Sequence, residues 1–307
     1  MDYKQTILDE LTTIMNHEKQ SKNTFKARAY GKAIKGLSLL DKIESLNDVL
    51  KANVEGIGKS IAEKIKEIIE TGHSHKAETI REDPVSKAKE AFMNIYGVGA
   101  KKADALVKAG YMGIEDLRNN KNGLALLNEK QKIGLKYYED ILERIPRAEM
   151  DMHNHYLQST VDTSASLQIV GSYRRGLESS GDIDVLITGN VEMDTFIDGL
   201  MDDGYITETL ALGPKKFMGM CKIGNGYKHR RIDILWCPPE EYIFSLVYFT
   251  GSDKFNIQMR KKALEKGWTL NEHSMKSVAS GLGSMTFKTE KNLFDFLEMP
   301  YLEPHER

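Results

Sequence analysis

The amino-acid sequence predicts an α+β protein with a helical N-terminal half, a mixed or antiparallel sheet, and a small α+β subdomain at the C-terminus. Up to Pro146 the apolar residues follow helical spacing, and a glycine-containing hairpin occurs twice. From residue 167 to residue 236 apolar and polar residues alternate in two stretches, as side chains do along a strand. An aromatic pair and a further helical segment follow this sheet region.

Composition is that of an ordinary globular protein. The 307 residues are 40% apolar and 29% charged, and this length suggests about two domains. We expect no membrane association, because no apolar run approaches the ~20 residues of a membrane span. Cys221 and Cys237 have no metal-binding spacing, which predicts buried thiols in a reducing compartment. The net charge of −2 excludes a generally basic nucleic-acid binder, but not local basic surfaces.

The N-terminal region begins with two predicted helices. Apolar residues recur from Ile7 to Met15 at helical spacing. The following segment, FKARAYGKAI, places Lys26, Tyr30 and Lys32 close together on the second helix. A basic helical face is usually only a solvated one, so this feature alone indicates no ligand.

A repeat gives that basic face a context. VEGIGKSIAEKIKEIIETG and IYGVGAKKADALVKAG share an apolar–Gly–apolar–Gly turn and then an apolar helix, which is the helix-hairpin-helix pattern. The turns contain Gly56, Gly58, Gly97 and Gly99, and Lys101 is one of the lysines that follow them. Backbone N–H groups of such turns can face a phosphate without reading base sequence. The alternative is an αα-hairpin without a ligand; two copies, each with a lysine, favour binding to a duplex backbone.

The central feature is LQIVGSYRRGLESSGDIDVLI, residues 167–187. Asp182 and Asp184 are two positions apart on a predicted strand and therefore project from one face. Paired carboxylates repel each other unless a cation lies between them, and hard oxygen ligands suit Mg²⁺. Asp233 adds a third acid from a second predicted strand, RRIDILW.

The same segment contains groups that match phosphate. Gly171 permits close approach of the backbone, Ser172 and Ser180 offer hydroxyl donors, and Arg174 and Arg175 offer planar donors. Three acids with these groups are typical of nucleotidyl transfer through two metals about 3.5–4 Å apart. The alternative is a solvated Asp pair, which the surrounding motifs disfavour.

Two further segments complete the sheet and the C-terminal part. KFMGMCKIGNGYKHRRIDILW predicts a β-hairpin with a type I′ turn at Asn225-Gly226, which would bring the third acid to the first two. In YFTGSDKFNIQMRKKALEKG, spacings of three and four place Asp253, Asn256 and Arg260 on one helix face. The alternative interpretation of that face is a polar helix surface.

These motifs, with KFMG, HRRIDI and TLNEH, resemble the family X DNA polymerases, and among them DNA polymerase beta most closely; the resemblance runs from about residue 20 to the C-terminus. It implies a helical lyase-like domain and a helix-hairpin-helix module followed by a nucleotidyltransferase palm and a nucleotide-selecting subdomain. The expected boundaries are 1–79, 80–143, 144–239 and 240–307. The resemblance also implies two Mg²⁺ ions, for which Mn²⁺ can substitute, and a monovalent cation (Na⁺ or K⁺) at the hairpin turns.

The resemblance assigns roles to the polymerase residues. Asp182 and Asp184 bind both metals, while Asp233 binds the catalytic metal and accepts the 3′-OH proton. The implied nucleotide-binding residues are Gly171, Ser172, Arg175, Ser180, Gly181, Tyr248, Phe249, Gly251, Asp253 and Asn256. Template or DNA contacts are implied for Arg231 and Arg260 and for the hairpin residues Gly56, Gly58, Gly97, Gly99 and Lys101. His273 stands where the family has a Tyr.

A second activity is implied for the first hairpin. Lys64 stands at the family's Schiff-base lysine, which attacks the C1 aldehyde of a 5′-deoxyribose phosphate, and Lys26, Tyr30 and Lys76 stand at supporting positions. Ser60 replaces a basic residue and Phe25 a His, which makes the expected phosphate pocket less basic.

The sequence therefore predicts an enzyme, a DNA-directed DNA polymerase with 5′-deoxyribose-phosphate lyase activity that fills short gaps in base-excision-type repair. Expected partners are gapped or nicked duplex DNA and a dNTP, for a monomer in the nucleus or another DNA-containing reducing compartment. Two alternatives stay open at this point: a template-independent nucleotidyltransferase, which the short hairpin disfavours, and a catalytically weak scaffold that binds DNA ends, which the intact acid triad disfavours.

Overall fold

The computed structural model describes residues 1–279 and 285–307. Within them the chain forms two compact units, Met1–Leu135 and Lys136–Arg307. The first is helical and the second combines helices with sheet, so the predicted α+β class is confirmed. The four-part division of the sequence stays a prediction.

The N-terminal unit consists of helices joined by short loops. Its helices are α1 (Lys4–Gln20), α2 (Thr24–Ser38), α3 (Leu46–Lys51), α4 (Lys59–Thr71), α5 (His75–Glu82), α6 (Pro84–Met93), α7 (Ala100–Lys108), α8 (Ile114–Arg118), α9 (Lys121–Ala125) and α10 (Glu129–Lys136). The apolar face predicted for α1 is buried: Ile7, Leu11 and Ile14 pack with Ile65 and Ile68 of α4. Both predicted hairpins form, with Gly58 preceding α4 and Gly99 preceding α7.

The C-terminal unit is built on a mixed sheet. Its helices are α11 (Tyr138–Leu142), α12 (Arg147–Ser159), α13 (Gly171–Arg174), α14 (Met193–Asp202), α15 (Tyr242–Thr250), α16 (Asp253–Glu265) and α17 (Glu290–Phe296), followed by a 3₁₀ turn at Pro304–Glu306. Its strands are β1 (Ile145–Pro146), β2 (Ala165–Ile169), β3 (Ser179–Ser180), β4 (Ile183–Gly189), β5 (Ile206–Gly213), β6 (Lys216–Cys221), β7 (Arg230–Cys237), β8 (Trp268–Leu270) and β9 (Met275–Ser277).

In the described part of the chain, the main sheet has the order β2-β4-β7-β6-β5. The β4 and β7 strands run parallel, and the other neighbours are antiparallel. Its core contains the inward-facing Ile183, Val185 and Ile187 of β4 with Ile232 and Ile234 of β7. The parallel pair in the middle of the sheet is what brings distant parts of the sequence side by side.

The hairpin predicted between β6 and β7 is present, but the type of its turn was predicted wrongly. The strands close at the pair Cys221↔Arg230, so an eight-residue loop joins them. Within this loop Asn225-Gly226 does form a turn, in which the Tyr227 N–H donates to the Gly224 carbonyl, but Asn225 lacks the positive φ that type I′ requires. Asn-Gly forms a two-residue hairpin connection only where strand pairing continues up to it. Here pairing stops earlier, and the loop residue Lys228 forms an ion pair with Glu143.

The C-terminal part of this unit has a small core of its own. Phe244 of α15, Phe255 and Met259 of α16, and Leu293 and Phe294 of α17 are buried together. The β8–β9 hairpin packs along α16. Among the described residues, no helix has the length and apolar character needed to cross a membrane.

Candidate active site

Two of the three predicted metal-binding acids are neighbours in the sheet. Asp184 on β4 is directly opposite Asp233 on β7 in the parallel register. Burial and then the charge of Asp233 raise the pKa of Asp184 to about 6. Burial also raises the pKa of Asp233, against the lowering effect of Arg231 and Lys216. The sheet therefore holds two half-desolvated carboxylates that oppose each other's ionisation.

The third acid lies just outside the strand. Asp182 precedes β4 and forms an ion pair with Arg231, which is two residues before Asp233 on β7. As they stand, no three acidic, His or Cys side chains of the described residues are close enough to hold a metal together. The structure thus pairs Asp184 with Asp233 and turns Asp182 towards an arginine.

These carboxylates nevertheless fit a divalent cation. Oδ1 of Asp233 is buried without a hydrogen-bond partner, which is costly for a carboxylate oxygen unless a cation satisfies it. Oxygen donors from two or three Asp residues are the ligand set that Mg²⁺ prefers. Asp182 is on the same segment as Asp184 and could join them by exchanging its arginine partner for the ion.

Gly171, the first residue of α13, lies directly against the Asp184 carboxylate. Its φ is +59°, and a Cβ at this position would stand 2.7 Å from Oδ2 of Asp184. A side chain here would be strained and would also displace the carboxylate. Gly171, which was predicted to permit close approach of a ligand, is thus also needed to leave room for the Asp184 carboxylate.

Beyond this glycine, the serines and Arg175 surround the same segment. Ser172 donates to the Ser180 hydroxyl at 2.9 Å, which joins α13 to β3, and Gly181 follows in the turn before β4. Arg175 donates to the Thr250 carbonyl at 2.6 Å. Ser172, Ser180 and Arg175 therefore belong to the segment that contains the acids, but their side chains form hydrogen bonds within the protein.

Arg174 has a different environment from the one predicted. It donates to both carboxylate oxygens of Glu290, at 3.0 and 2.7 Å, and to the Thr250 hydroxyl at 2.7 Å. Arg307, whose side chain is fully buried, pairs with the same carboxylate at 2.7 Å. Arg174 thus connects α13 to the C-terminal helices and is not free to meet a phosphate. The sequence contains no local signal for this, because Glu290 lies 116 residues away.

The helix face predicted from spacing is formed on α16. Asn256 donates to the Tyr248 carbonyl at 2.7 Å, and the Arg260 guanidinium lies 5.0 Å from the Tyr248 ring centre. These three residues line a very small cavity of about 10 Å³, which has room for about one water molecule. Asp253 is exposed at the start of the helix, and the Tyr248 and Phe249 rings meet edge to face at 5.0 Å.

The loops next to α15 and α16 have a special backbone conformation and two charged contacts. Gly251 has φ +70° and is followed by a cis peptide bond to Ser252. Arg260 pairs with Glu272 at 3.6 Å. His273, which departs from the family pattern, is 2.7 Å from Glu241.

A second candidate site lies in the N-terminal unit. An open cleft of about 360 Å³ brings together the four residues predicted for a lyase, Lys26, Tyr30, Lys64 and Lys76. The same cleft is lined by the turn residues Gly56 and Gly58 and by Phe25 and Ser60, which depart from the family pattern. Lys64 Nζ lies 3.3 Å from the Ser60 hydroxyl, and Phe25 is 84% exposed. Tyr30 is buried, and burial, with the charge of Glu18, raises its pKa. Sequence reasoning missed Glu18, a buried carboxylate that holds Lys76 at 2.5 Å.

Comparison with known families gives matches in both the N-terminal and the C-terminal unit. Family models match for a helix-hairpin-helix domain (residues 2–74), the fingers domain of DNA polymerase lambda (90–142), the DNA polymerase beta palm (144–239) and the DNA polymerase beta thumb (245–307). The chain belongs to the family X DNA polymerases. The predicted resemblance to family X is thereby confirmed.

Curated relatives within family X are DNA polymerase lambda of Rattus norvegicus, 35% identical over 100% of this chain and 56% of the relative, and DNA polymerase lambda of Arabidopsis thaliana, 35% identical over 87% and 54%. A DNA nucleotidylexotransferase of Xenopus laevis is 26% identical over 82% of this chain and 58% of the relative. The chain spans a little over half the length of these relatives.

Proposed function

We propose that the chain is a template-directed DNA polymerase that fills short gaps, in repair of the base-excision type, by adding a dNTP to a primer 3′-OH. The observation that carries this proposal is the register that sets Asp184 opposite Asp233, with Gly171 packed against the first carboxylate. Membership of family X agrees with it.

In this proposal Asp182, Asp184 and Asp233 hold two Mg²⁺ ions, with Mn²⁺ as a substitute. When bound, the ions neutralise charge on the attacking and leaving oxygens of the displacement. Asp182, which pairs with Arg231 in this structure, would instead hold a cation, and Arg231 would contact the DNA. Asp233 would accept the proton of the primer 3′-OH as general base. Catalysis then depends on positioning and charge neutralisation.

The remaining site residues select and hold the nucleotide. We propose that Ser172, Arg175, Ser180 and Gly181 bind the triphosphate. The surface around the start of α16 would receive the sugar and base: Tyr248 and Phe249 against the sugar, Asp253 along the base, Asn256 at its minor-groove edge and Arg260 near the templating base. The contacts of Asn256 and Arg260 with Tyr248 preorganise this wall.

The cleft around Lys64 supports a lyase function. The Lys64 amine would add to the C1 aldehyde of a 5′-deoxyribose phosphate and release water, giving an imine. Loss of a C2′ proton to solvent with departure of the 3′-phosphate completes the β-elimination, and hydrolysis of the remaining imine returns the free Lys64 amine. Lys26 and Lys76 would neutralise the phosphate. We also propose a monovalent cation, Na⁺ or K⁺, at the hairpin turns, with gapped or nicked duplex DNA as the partner and a monomer as the active form.

The compartment follows from the substrate in this proposal. A DNA polymerase with this substrate works where DNA is, in the nucleus or another reducing compartment. Cys221 and Cys237 are both buried and free, in keeping with such surroundings.

The test is single-nucleotide incorporation with Mg²⁺ on a one-nucleotide gap that carries a 5′-phosphate, with each dNTP separately. We expect only the complementary nucleotide to be added, and more efficiently than on an open primer-template. Asp233→Ala should abolish incorporation and retain binding to gapped DNA. Indiscriminate addition would favour the template-independent alternative, and binding without any incorporation would favour the scaffold.

A further inference from the structure

The turn of the second helix-hairpin-helix is held by a side chain from a distant helix. Gln131 of α10 is buried, and its Nε2 donates to the Gly97 carbonyl at 2.7 Å. Gly97 is an exposed turn residue with φ +80°, a conformation that other residues rarely adopt. The hydrogen bond therefore fixes the peptide between Gly97 and Val98, in the turn that leads to Gly99 and the start of α7.

The oxygen of the Gln131 side-chain amide also has a hydrogen-bond partner. Oε1 of Gln131 accepts from the Asn128 backbone N–H at 3.1 Å, and the Gln131 N–H donates to Oδ1 of Asn128 at 2.9 Å. This reciprocal pair is a capping box at the start of α10. Because Oε1 faces a backbone donor, the amide has one orientation, and its NH₂ group must face Gly97.

Close packing adds to this connection. A Cβ on Gly134 would stand 2.8 Å from both the backbone N and O of Tyr96, so α10 lies directly against the peptide before Gly97. The first hairpin differs, since a Cβ on Gly56 would meet Lys32 and the Ala29 carbonyl of α2. The second turn is thus supported by a side-chain hydrogen bond from α10.

We infer that Gln131 is a positioning residue for DNA binding: it holds the Gly97 turn so that the N–H groups at the start of α7 meet a backbone phosphate without reorganisation. The inference rests on the proposed function, because it needs the hairpin to bind a duplex. Orientation fixed before binding lowers the entropy lost on association. Gln131 would therefore act on affinity for DNA without touching it.

A matched pair of variants separates this role from charge and from helix capping. Gln131→Glu keeps the capping box, which accepts Glu as well as Gln, but places a carboxylate oxygen against the Gly97 carbonyl. Asn128→Asp adds the same charge three residues away at an exposed position, and keeps both the cap and the Gln131 amide. The difference between the two variants therefore reports the hydrogen bond to Gly97.

The experiment measures Kd for a one-nucleotide-gapped duplex by fluorescence anisotropy, then kcat and KM for that DNA. We expect Gln131→Glu to raise Kd at least about fivefold above Asn128→Asp, the ratio expected for one hydrogen bond. KM for DNA should rise in parallel, with kcat restored at saturating DNA; loss of folded protein would lower kcat instead. If Gln131→Glu unfolds the unit, Gln131→Met, neutral and similar in volume, should give the same rise relative to Asn128→Ala.

Equal Kd values for Gln131→Glu and Asn128→Asp, within twofold, would overturn the inference alone. Failure of the wild-type protein to bind the gapped duplex would overturn the proposed function, and the inference with it.

Discussion

Removing one charge from the candidate active site should stabilise the metal-free protein while abolishing incorporation. Asp184→Asn is the perturbation. The pKa of Asp184 is raised from 3.8 to about 6, so the folded state binds its proton more tightly than the unfolded state does. The contribution of Asp184 to the stability of the metal-free wild type should therefore be neutral at low pH and become unfavourable as pH rises from about 4 to about 6.

The magnitude follows from that shift. Roughly two pKa units at about 1.4 kcal/mol each give an upper value of about 3 kcal/mol lost at neutral pH. Coupling of Asp184 with Asp233 divides this penalty between the two groups, so we expect the variant to be more stable than wild type by about 1–3 kcal/mol at pH 7.5. Near pH 4 the difference should largely disappear.

The assay is urea unfolding in EDTA followed by tryptophan fluorescence. Trp236 and Trp268, the two tryptophans of the sequence, are both in the Lys136–Arg307 unit, so the signal reports that unit. Asp198→Asn, an exposed acid on α14, is the control and should change stability by less than ~0.5 kcal/mol. Added Mg²⁺ should stabilise the wild type more than Asp184→Asn. A variant no more stable than wild type at pH 7.5 would refute the reasoning.

Three further predictions concern other parts of the chain. Lys64→Ala should no longer be trapped by borohydride on a 5′-deoxyribose-phosphate end but should still fill gaps, whereas Lys66→Ala, a change at an exposed lysine of the same helix, should be trapped normally. Undiminished trapping of Lys64→Ala would exclude the lyase assignment. Gly171→Ala should lower incorporation and should lower the free energy of unfolding by ~1–3 kcal/mol, because φ is +59° and the new Cβ would meet a carboxylate oxygen. Urea unfolding unchanged from wild type would contradict this geometry. Arg174→Ala should destabilise the Lys136–Arg307 unit by about 2–4 kcal/mol in the same urea assay, because the buried Glu290 loses a bidentate partner. Loss of incorporation with unaltered stability would instead favour direct binding of a phosphate by Arg174.

Much of the fold was accessible from local sequence patterns. Helical spacing from Ile7 to Met15 predicted a buried face on α1, and the two Gly-x-Gly turns predicted both hairpins, because these features depend on neighbours in sequence. Strand alternation placed Asp184 and Asp233 each on a strand, and the structure shows that these two strands are neighbours. Such periodicities carry information about which face is buried, and hence about which side chains can meet at a sheet edge.

What could not be predicted depended on contacts across long sequence separations. Arg174 was assigned to phosphate from residue type, yet its partner Glu290 is identified only by the folded packing of α13 on α17. Asp182 was placed on a strand that begins one residue later, and its arginine partner follows from the register of β7. The type I′ turn failed because local turn preference does not determine where pairing ends.

The parallel pairing of β4 with β7 has a consequence for folding. The two acids are 49 positions apart in the chain, and a slip of one residue would turn Asp233 from the site to the opposite face of the sheet. Parallel pairing requires the whole intervening crossover to be in place first, so it is expected to form late. A nascent or partly unfolded chain would thus carry the acids without their juxtaposition. The two carboxylates would come together only at this late step, and protection of the β4 amides from hydrogen exchange would report it.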